Sequence, residues 1–185
     1  HPEKIREVYE TGISTYVSPV FAQLDWKQAR TSAELPKEKY VRWAAFLRCG
    51  KGPEQAVQVL RDLKLDNDTI FKVKTLVTWA GVVPEACEVE VRRMMSRMEP
   101  EVWDSLMDLN GYGSEIRTLV ETIRERGDCL GLKELAVKGQ DLIAAGVKPG
   151  KEMGSMLHGL LEHVLEKPQD NEKETLLGII RKSIS

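Results

Sequence analysis

Histidine and cysteine are scarce, three of each in 185 residues. Cys49, Cys87 and Cys129 are odd in number and far apart, which fits neither a disulfide framework nor zinc-type CxxC spacing and points to a reducing compartment. No histidine lies between His1 and His158, so a histidine-based metal site cannot be assembled from the larger part of the chain. An excess of one charge is also missing. The 27 basic and 29 acidic residues leave a formal charge of −2, which excludes a chain that works by bulk attraction to nucleic acid or to membrane. Any anion-binding site must therefore be local. No apolar run approaches the roughly 18 residues of a spanning helix. No cationic start leads into a short apolar stretch as in a signal peptide. A cytoplasmic protein without a membrane partner is expected, and the opening His1-Pro2, with no methionine, fits a piece of something longer. Aromatic residues are only 6%, and β-branched runs are short, which argues against a sheet.

What the sequence does have is an apolar fraction of 42%, spread at three- and four-residue spacing almost throughout. That is the period of amphipathic helices, so the expected fold is all-α. The pattern predicts helices over Glu3 to Glu10, Lys39 to Leu47, Glu54 to Leu63, Asp68 to Ala80, Glu85 to Met98, Pro100 to Leu109, Ser114 to Arg126, Leu132 to Val137, Gln140 to Ala145, Pro149 to Leu165 and Glu172 to Lys182. Pro53, Pro84, Pro100 and Pro149 suit first helical positions, where a missing amide donor is harmless, and Gly81, Gly127 and Gly146 suit helix ends. Asn171 and Glu174 have capping-box spacing. Short links suggest antiparallel neighbours in an elongated multi-helix bundle. Leu24 to Glu38 reads as a shortened connection. The segment Leu109 to Ser114, with Asn110, Gly111 and Gly113, is the expected boundary between a helical body (1–110, the end of a neck at 1–12) and a smaller helical tail (111–185).

The one locally basic stretch lies in that tail. Lys133, Lys138, Lys148 and Lys151 stand against only Glu134 and Asp141 between residues 133 and 151. Gly146 ends one helix, and Pro149 and Gly150 open the next. Amides near Lys151 would then point outward at the positive end of a helix dipole, with no side chain at Gly150 to block approach. That arrangement suits a backbone phosphate, with Gly139 and Gly154 as turn and packing glycines. The alternative is a tight turn with solvated lysines. Met153, Met156, Leu157, Leu160 and Leu161 should form the tail's own core. Arg92 and Arg93 put further cations on one helix, either a second phosphate contact or an ion-paired face.

The string Leu132-Lys133-Glu134-Leu135-Ala136-Val137-Lys138-Gly139-Gln140-Asp141-Leu142-Ile143, followed by Gly146-Val147-Lys148-Pro149-Gly150-Lys151-Glu152-Met153-Gly154, resembles the tail of bacterial class II CCA-adding tRNA nucleotidyltransferases, a family that also contains bacterial poly(A) polymerases. Tyr9-Glu10-Thr11-Gly12-Ile13 with Pro19, Val41-Arg42-Trp43-Ala44-Ala45-Phe46-Leu47 and Val91-Arg92-Arg93-Met94-Met95 are similar to the family's body. The likeness is dense in the last third of the chain and sparse before it. It implies that tRNA is the partner: the tail grips the tRNA elbow, and the body sets the distance to a catalytic head and neck that this chain lacks. Magnesium and CTP or ATP would belong to that head. No cofactor and no metal are expected here, and the chain alone should be inactive even though its full-length parent is a transferase.

The family's catalytic signatures are missing. Polymerase chemistry needs a Gly-Ser turn and an Asp-x-Asp pair that bridges two metal ions. Asp66-Asn67-Asp68 has the letters but lies between two helices, where helix capping by Asn67 or Asp68 is the simpler reading. The family's nucleotide-selecting Asp-x-x-Arg does not occur. Where many relatives carry Leu-His-Asp for phosphate hydrolysis, this chain has Leu47-Arg48-Cys49, a degenerate version that cannot hold a metal. His158 and His163 are five apart, about 140° around a helix, unlike the i, i+4 pair of a zinc protease. Gly50-Lys51-Gly52 is a weak match to a phosphate loop. The cysteines read as packing residues, and Trp26, Trp43, Trp79 and Trp103 as core. Two other functions stay open: a non-enzymatic helical adaptor with an exposed apolar groove, and the equivalent piece of a poly(A) polymerase.

Overall fold

The computed structural model describes residues 4–27 and 35–184, so most of the Leu24 to Glu38 connection lies outside the described residues. Among the described residues every regular element is helical, as the apolar spacing predicts, and none is a strand. The chain forms two compact units. One takes the described residues up to Val83 and then Met98–Tyr112; the other takes Pro84–Arg97 and the chain from Gly113 onward.

The first unit contains α1 (Lys4–Glu10), α2 (Ser14–Val17), α3 (Pro19–Ala22), α4 (Lys39–Leu47), α5 (Pro53–Asp62), α6 (Asn67–Thr78) and α8 (Pro100–Asn110). Its centre is α6, which packs on α4, α5 and α8. The helix starts where it does because the Asp66 carboxylate accepts the Thr69 amide and hydroxyl, each at 2.8 Å. Ile70, Val73, Leu76 and Val77 then fall on one buried stripe. Each such side chain contributes about 1.5–3 kcal/mol when fully buried. At one edge Tyr9, Phe21 and Phe46 stack at centroid distances of 5.2 and 5.9 Å, and the Tyr9 hydroxyl donates to the Phe21 carbonyl. At the end of α8, Asn110 accepts the Gly81 amide and donates to the Trp79 and Val82 carbonyls, closing the loop after α6.

The second unit contains α7 (Glu88–Met95), α9 (Ser114–Arg126), α10 (Gly139–Ala144), α11 (Lys151–Glu166) and α12 (Lys173–Ile184). Helix α7 packs on α9 and α11, so it belongs with helices that follow it in sequence. Leu142, Leu160, Val164, Leu165 and Leu176 form the centre of its core, with Met153, Met156 and Leu157 packed partly buried against it.

Several predicted boundaries move. The Glu85 to Met98 helix shrinks to Glu88–Met95, and Pro84 lies in the approach rather than in the first turn. The helix predicted from Pro149 starts at Lys151, with Gly150 as its N-cap. The predicted helix Leu132 to Val137 is absent; the chain there is a turn. Its backbone is satisfied by side chains instead: Asn171 accepts the Ala136 amide at 2.9 Å and donates to the Glu134 carbonyl at 3.1 Å, and the Lys138 ammonium donates to the Lys133 and Leu135 carbonyls. Asn171 therefore does not act as the expected cap of the last helix. Helices α2 and α3, four residues each, are too short for the apolar period to reveal.

Candidate nucleic-acid interface

The basic stretch of the second unit is built on three pieces: the turn before α10, the corner between α10 and α11, and the first turn of α11. Val137, Leu142 and Val147 are buried in the core and fix these pieces from below. Lys133, Lys138, Lys148, Pro149, Gly150 and Lys151 are all exposed. Gly139 opens α10 and lies so close to α11 that a Cβ there would stand 3.2 Å from the Met153 sulfur, which sets Lys138 beside the first turn of α11. The Lys138 ammonium in turn reaches the Lys133 carbonyl, so the turn before α10, the start of α10 and the first turn of α11 lie together.

Gly150 has φ 152° and ψ −163°, a region open essentially to glycine alone, and a Cβ there would meet nothing. Its role is to turn the chain into α11. The N-cap of α11, being glycine, supplies no side-chain acceptor, and the first amides of this 16-residue helix have no hydrogen-bond partner among the described residues. Gly154 departs from expectation. It is exposed on α11 with nothing within 4 Å of where its Cβ would be, so it neither turns nor packs and simply bares the helix backbone.

The electrostatics follow from where the acids go. Glu134 accepts the Leu130 amide at 2.6 Å. Asp141 pairs with Lys173 at 2.5 Å and accepts the Lys138 amide at 2.8 Å, and Lys173 first and that amide second hold its carboxyl below the usual range. Neither acid forms an ion pair with Lys133, Lys138, Lys148 or Lys151 among the described residues. Lys138 uses two of its three N–H donors on backbone carbonyls. Lys133, Lys148 and Lys151 have no ion pair or side-chain hydrogen bond with any described residue. Glu152, in the first turn of α11, is exposed and follows Lys151 directly in sequence.

The second candidate contact fails. Arg92 is 2% exposed. Its guanidinium donates to the Leu165 carbonyl at 2.7 Å, to Glu88 at 2.8 Å and to Asp128, itself buried, at 3.1 Å. It ties α7 to α11 and cannot reach a phosphate. Arg93 is ion-paired with Glu90 at 2.8 Å and with Glu162 at 3.3 Å. Arg126 closes the same network on Glu88 and Asp128, and Arg126 first, then Arg92, pulls the Glu88 carboxyl down to about 2.

The other sequence signals resolve as structure. Asp66 does cap a helix, but it is Asp66 and not Asn67 or Asp68 that does so, and it also holds Lys39 at 2.7 Å, while Asp68 pairs with Lys72. These carboxylates do not fit a two-metal site. No group of three or more metal-ligating side chains occurs among the described residues. Arg48 donates to the Leu109 carbonyl at the end of α8. The Lys51 amide is taken by Gln55, so Gly50-Lys51-Gly52 offers no free phosphate loop. His163 contacts Asp170 at 2.7 Å and His158 is exposed. Trp103 is buried, whereas Trp26, Trp43 and Trp79 are half-buried. Cys129 is buried, Cys49 half-buried, and Cys87 exposed at the start of α7 rather than packed. Sequence reasoning missed Asn171, because its partners lie 35 and 37 residues away and no local pattern marks them.

Residues 35–180 match the protein family described as tRNA nucleotidyltransferase domain 2. The CCA-adding enzyme of Limosilactobacillus fermentum is 30% identical over 139 residues, which cover 73% of this chain and 34% of that enzyme. The chain spans about a third of the length of this relative. No solved structure matches it. No helix of the described residues is long and apolar enough to cross a membrane.

Proposed function

The chain belongs to the tRNA nucleotidyltransferase family, and from that membership we propose that its second unit is a tRNA-binding arm. In this reading the arm grips the tRNA elbow through backbone phosphates, while a catalytic head outside these 185 residues adds nucleotides at the 3′ end. The observation that carries the reading is the corner at Lys148 to Lys151: an uncapped helix start on a glycine, beside three lysines that no carboxylate neutralises.

Physically, such a corner reads charge and shape and leaves base identity alone, which is how folded RNA is commonly held. A near-neutral chain can bind a polyanion this way because Glu134 and Asp141, the acids of this stretch, are held by a backbone amide and by Lys173. A grip at the elbow would also fix where the 3′ end falls, since folded tRNA is rigid enough to transmit position. Magnesium and nucleotide would be held by the head.

The test is charge reversal at the corner. Lys148→Glu with Lys151→Glu should weaken tRNA binding and lower the salt slope of log K by about 2, one for each lost phosphate contact. Unchanged affinity in a filter-binding assay contradicts the reading.

A further inference from the structure

Lys133 sits on a turn with no helical hydrogen bonds of its own, yet the backbone of that turn is tied at several points. From one side Asn171, in the link between α11 and α12, takes the Ala136 amide at 2.9 Å and gives its own amide hydrogen to the Glu134 carbonyl at 3.1 Å. From the other side the Lys138 ammonium reaches back to the Lys133 carbonyl at 2.5 Å and the Leu135 carbonyl at 2.9 Å. Leu135 and Val137, 2% and 0% exposed, anchor the turn in the core between these polar ties. Removing the ties leaves two buried side chains and a backbone free to choose among turn conformations, and Lys133 would move with it.

We propose that Asn171, although it presents nothing to RNA, is a positioning residue for the RNA-binding face: with Lys138 it clamps the turn from Gly131 to Lys138 and so holds the Lys133 cation at the end of the unit where Lys148 and Lys151 lie. The proposal rests on the reading of that end as the tRNA-binding face. It assigns Lys138 a double part, since the same ammonium that adds charge to the face also organises the backbone beneath it. It further makes the face a composite, because the clamp comes from the α11–α12 link and the cations from the stretch before α11.

The experiment compares Asn171→Ala with Val164→Ala in the 185-residue chain. Val164 is fully buried on α11, in the same core as Leu135 and Val137 but with no side-chain polar group to tie the turn, so its variant reports what lost packing alone does. Asn171→Ala should speed hydrogen exchange at the Ala136 amide and trypsin cleavage after Lys133. It should also weaken tRNA binding about tenfold, the effect of one lost hydrogen bond of ordinary strength. Val164→Ala should leave tRNA affinity within about twofold at a temperature where both variants are folded. If Asn171→Ala does not fold, Asn171→Asp, which keeps the acceptor for the Ala136 amide and loses the donor, should show the same direction of change. A loosened turn with wild-type affinity, while Lys148→Glu with Lys151→Glu abolishes binding, overturns the clamp and leaves the corner standing. Equal weakening by Asn171→Ala and Val164→Ala also overturns it. Wild-type affinity in the charge-reversed variant overturns both.

Discussion

On α7, Arg92 and Arg93 are surrounded by Glu88, Glu90, Asp128 and Glu162 and by the Leu165 carbonyl, whereas Lys133, Lys148 and Lys151, in the same unit, touch no carboxylate of the described residues. The two clusters carry the same sign of charge in opposite surroundings. A guanidinium is planar and presents five donors in a fixed fork, so it is readily drawn into a buried network. An ammonium on a flexible stem is strongly hydrated and remains in water unless a partner is placed for it. What distinguishes a binding surface from a structural brace is therefore the location of the acids. In the brace they converge on the arginines; at the corner Glu134 and Asp141 are occupied by a backbone amide and by Lys173.

The comparison can be broken from the brace side first, where the effect is largest. Arg92→Ala leaves the Leu165 carbonyl without its donor and the buried Asp128 carboxylate with Arg126 alone, and should cost about 2–3 kcal/mol of stability in urea denaturation. An unaltered midpoint would show that α7 is not braced as described. At the corner, Gly150→Ala should cost about 1–3 kcal/mol or shift the start of α11, because the added Cβ meets no atoms but the backbone must leave its φ of 152°. A stability loss without any change in tRNA affinity would separate the turn from the binding face.

Acid sharpens the contrast further. The Glu88 carboxyl is held near 2, against a usual 4.5, by Arg126 first and Arg92 second. A depressed folded value means its contribution is complete above about 4.5 and is lost as the pH falls toward 2. The thermal midpoint should therefore fall across that window, and Glu88→Gln should remove part of the slope. The smallest effect belongs to the corner: Lys148→Glu with Lys151→Glu should alter stability by less than about 0.5 kcal/mol, since neither lysine has a protein partner.

The sequence pattern marks α4 and α9 to the residue, because each joins a clear apolar period to a definite end, Gly127 with φ 70° in the case of α9. It marks the turn between α10 and α11 as well, since Gly146 and Pro149-Gly150 report local backbone chemistry directly. It misreads Leu132 to Val137 as a helix because the residues that satisfy that backbone, Asn171 above all, come from elsewhere in the chain. It leaves Arg92 open between phosphate contact and brace for a related reason: Asp128 and Leu165 stand 36 and 73 residues away. Local signals describe turns, caps and periods. The fate of a charged side chain depends on partners that only the tertiary fold supplies.

A tRNA-binding arm of this kind should recognise the folded shape of tRNA. The deciding measurement is the binding of intact tRNA against an isolated acceptor stem, matched in total phosphate charge, at two salt concentrations. Tighter binding of the intact molecule at both, with a shared loss as salt rises, is the expected result. Equal binding of the two RNAs would contradict it.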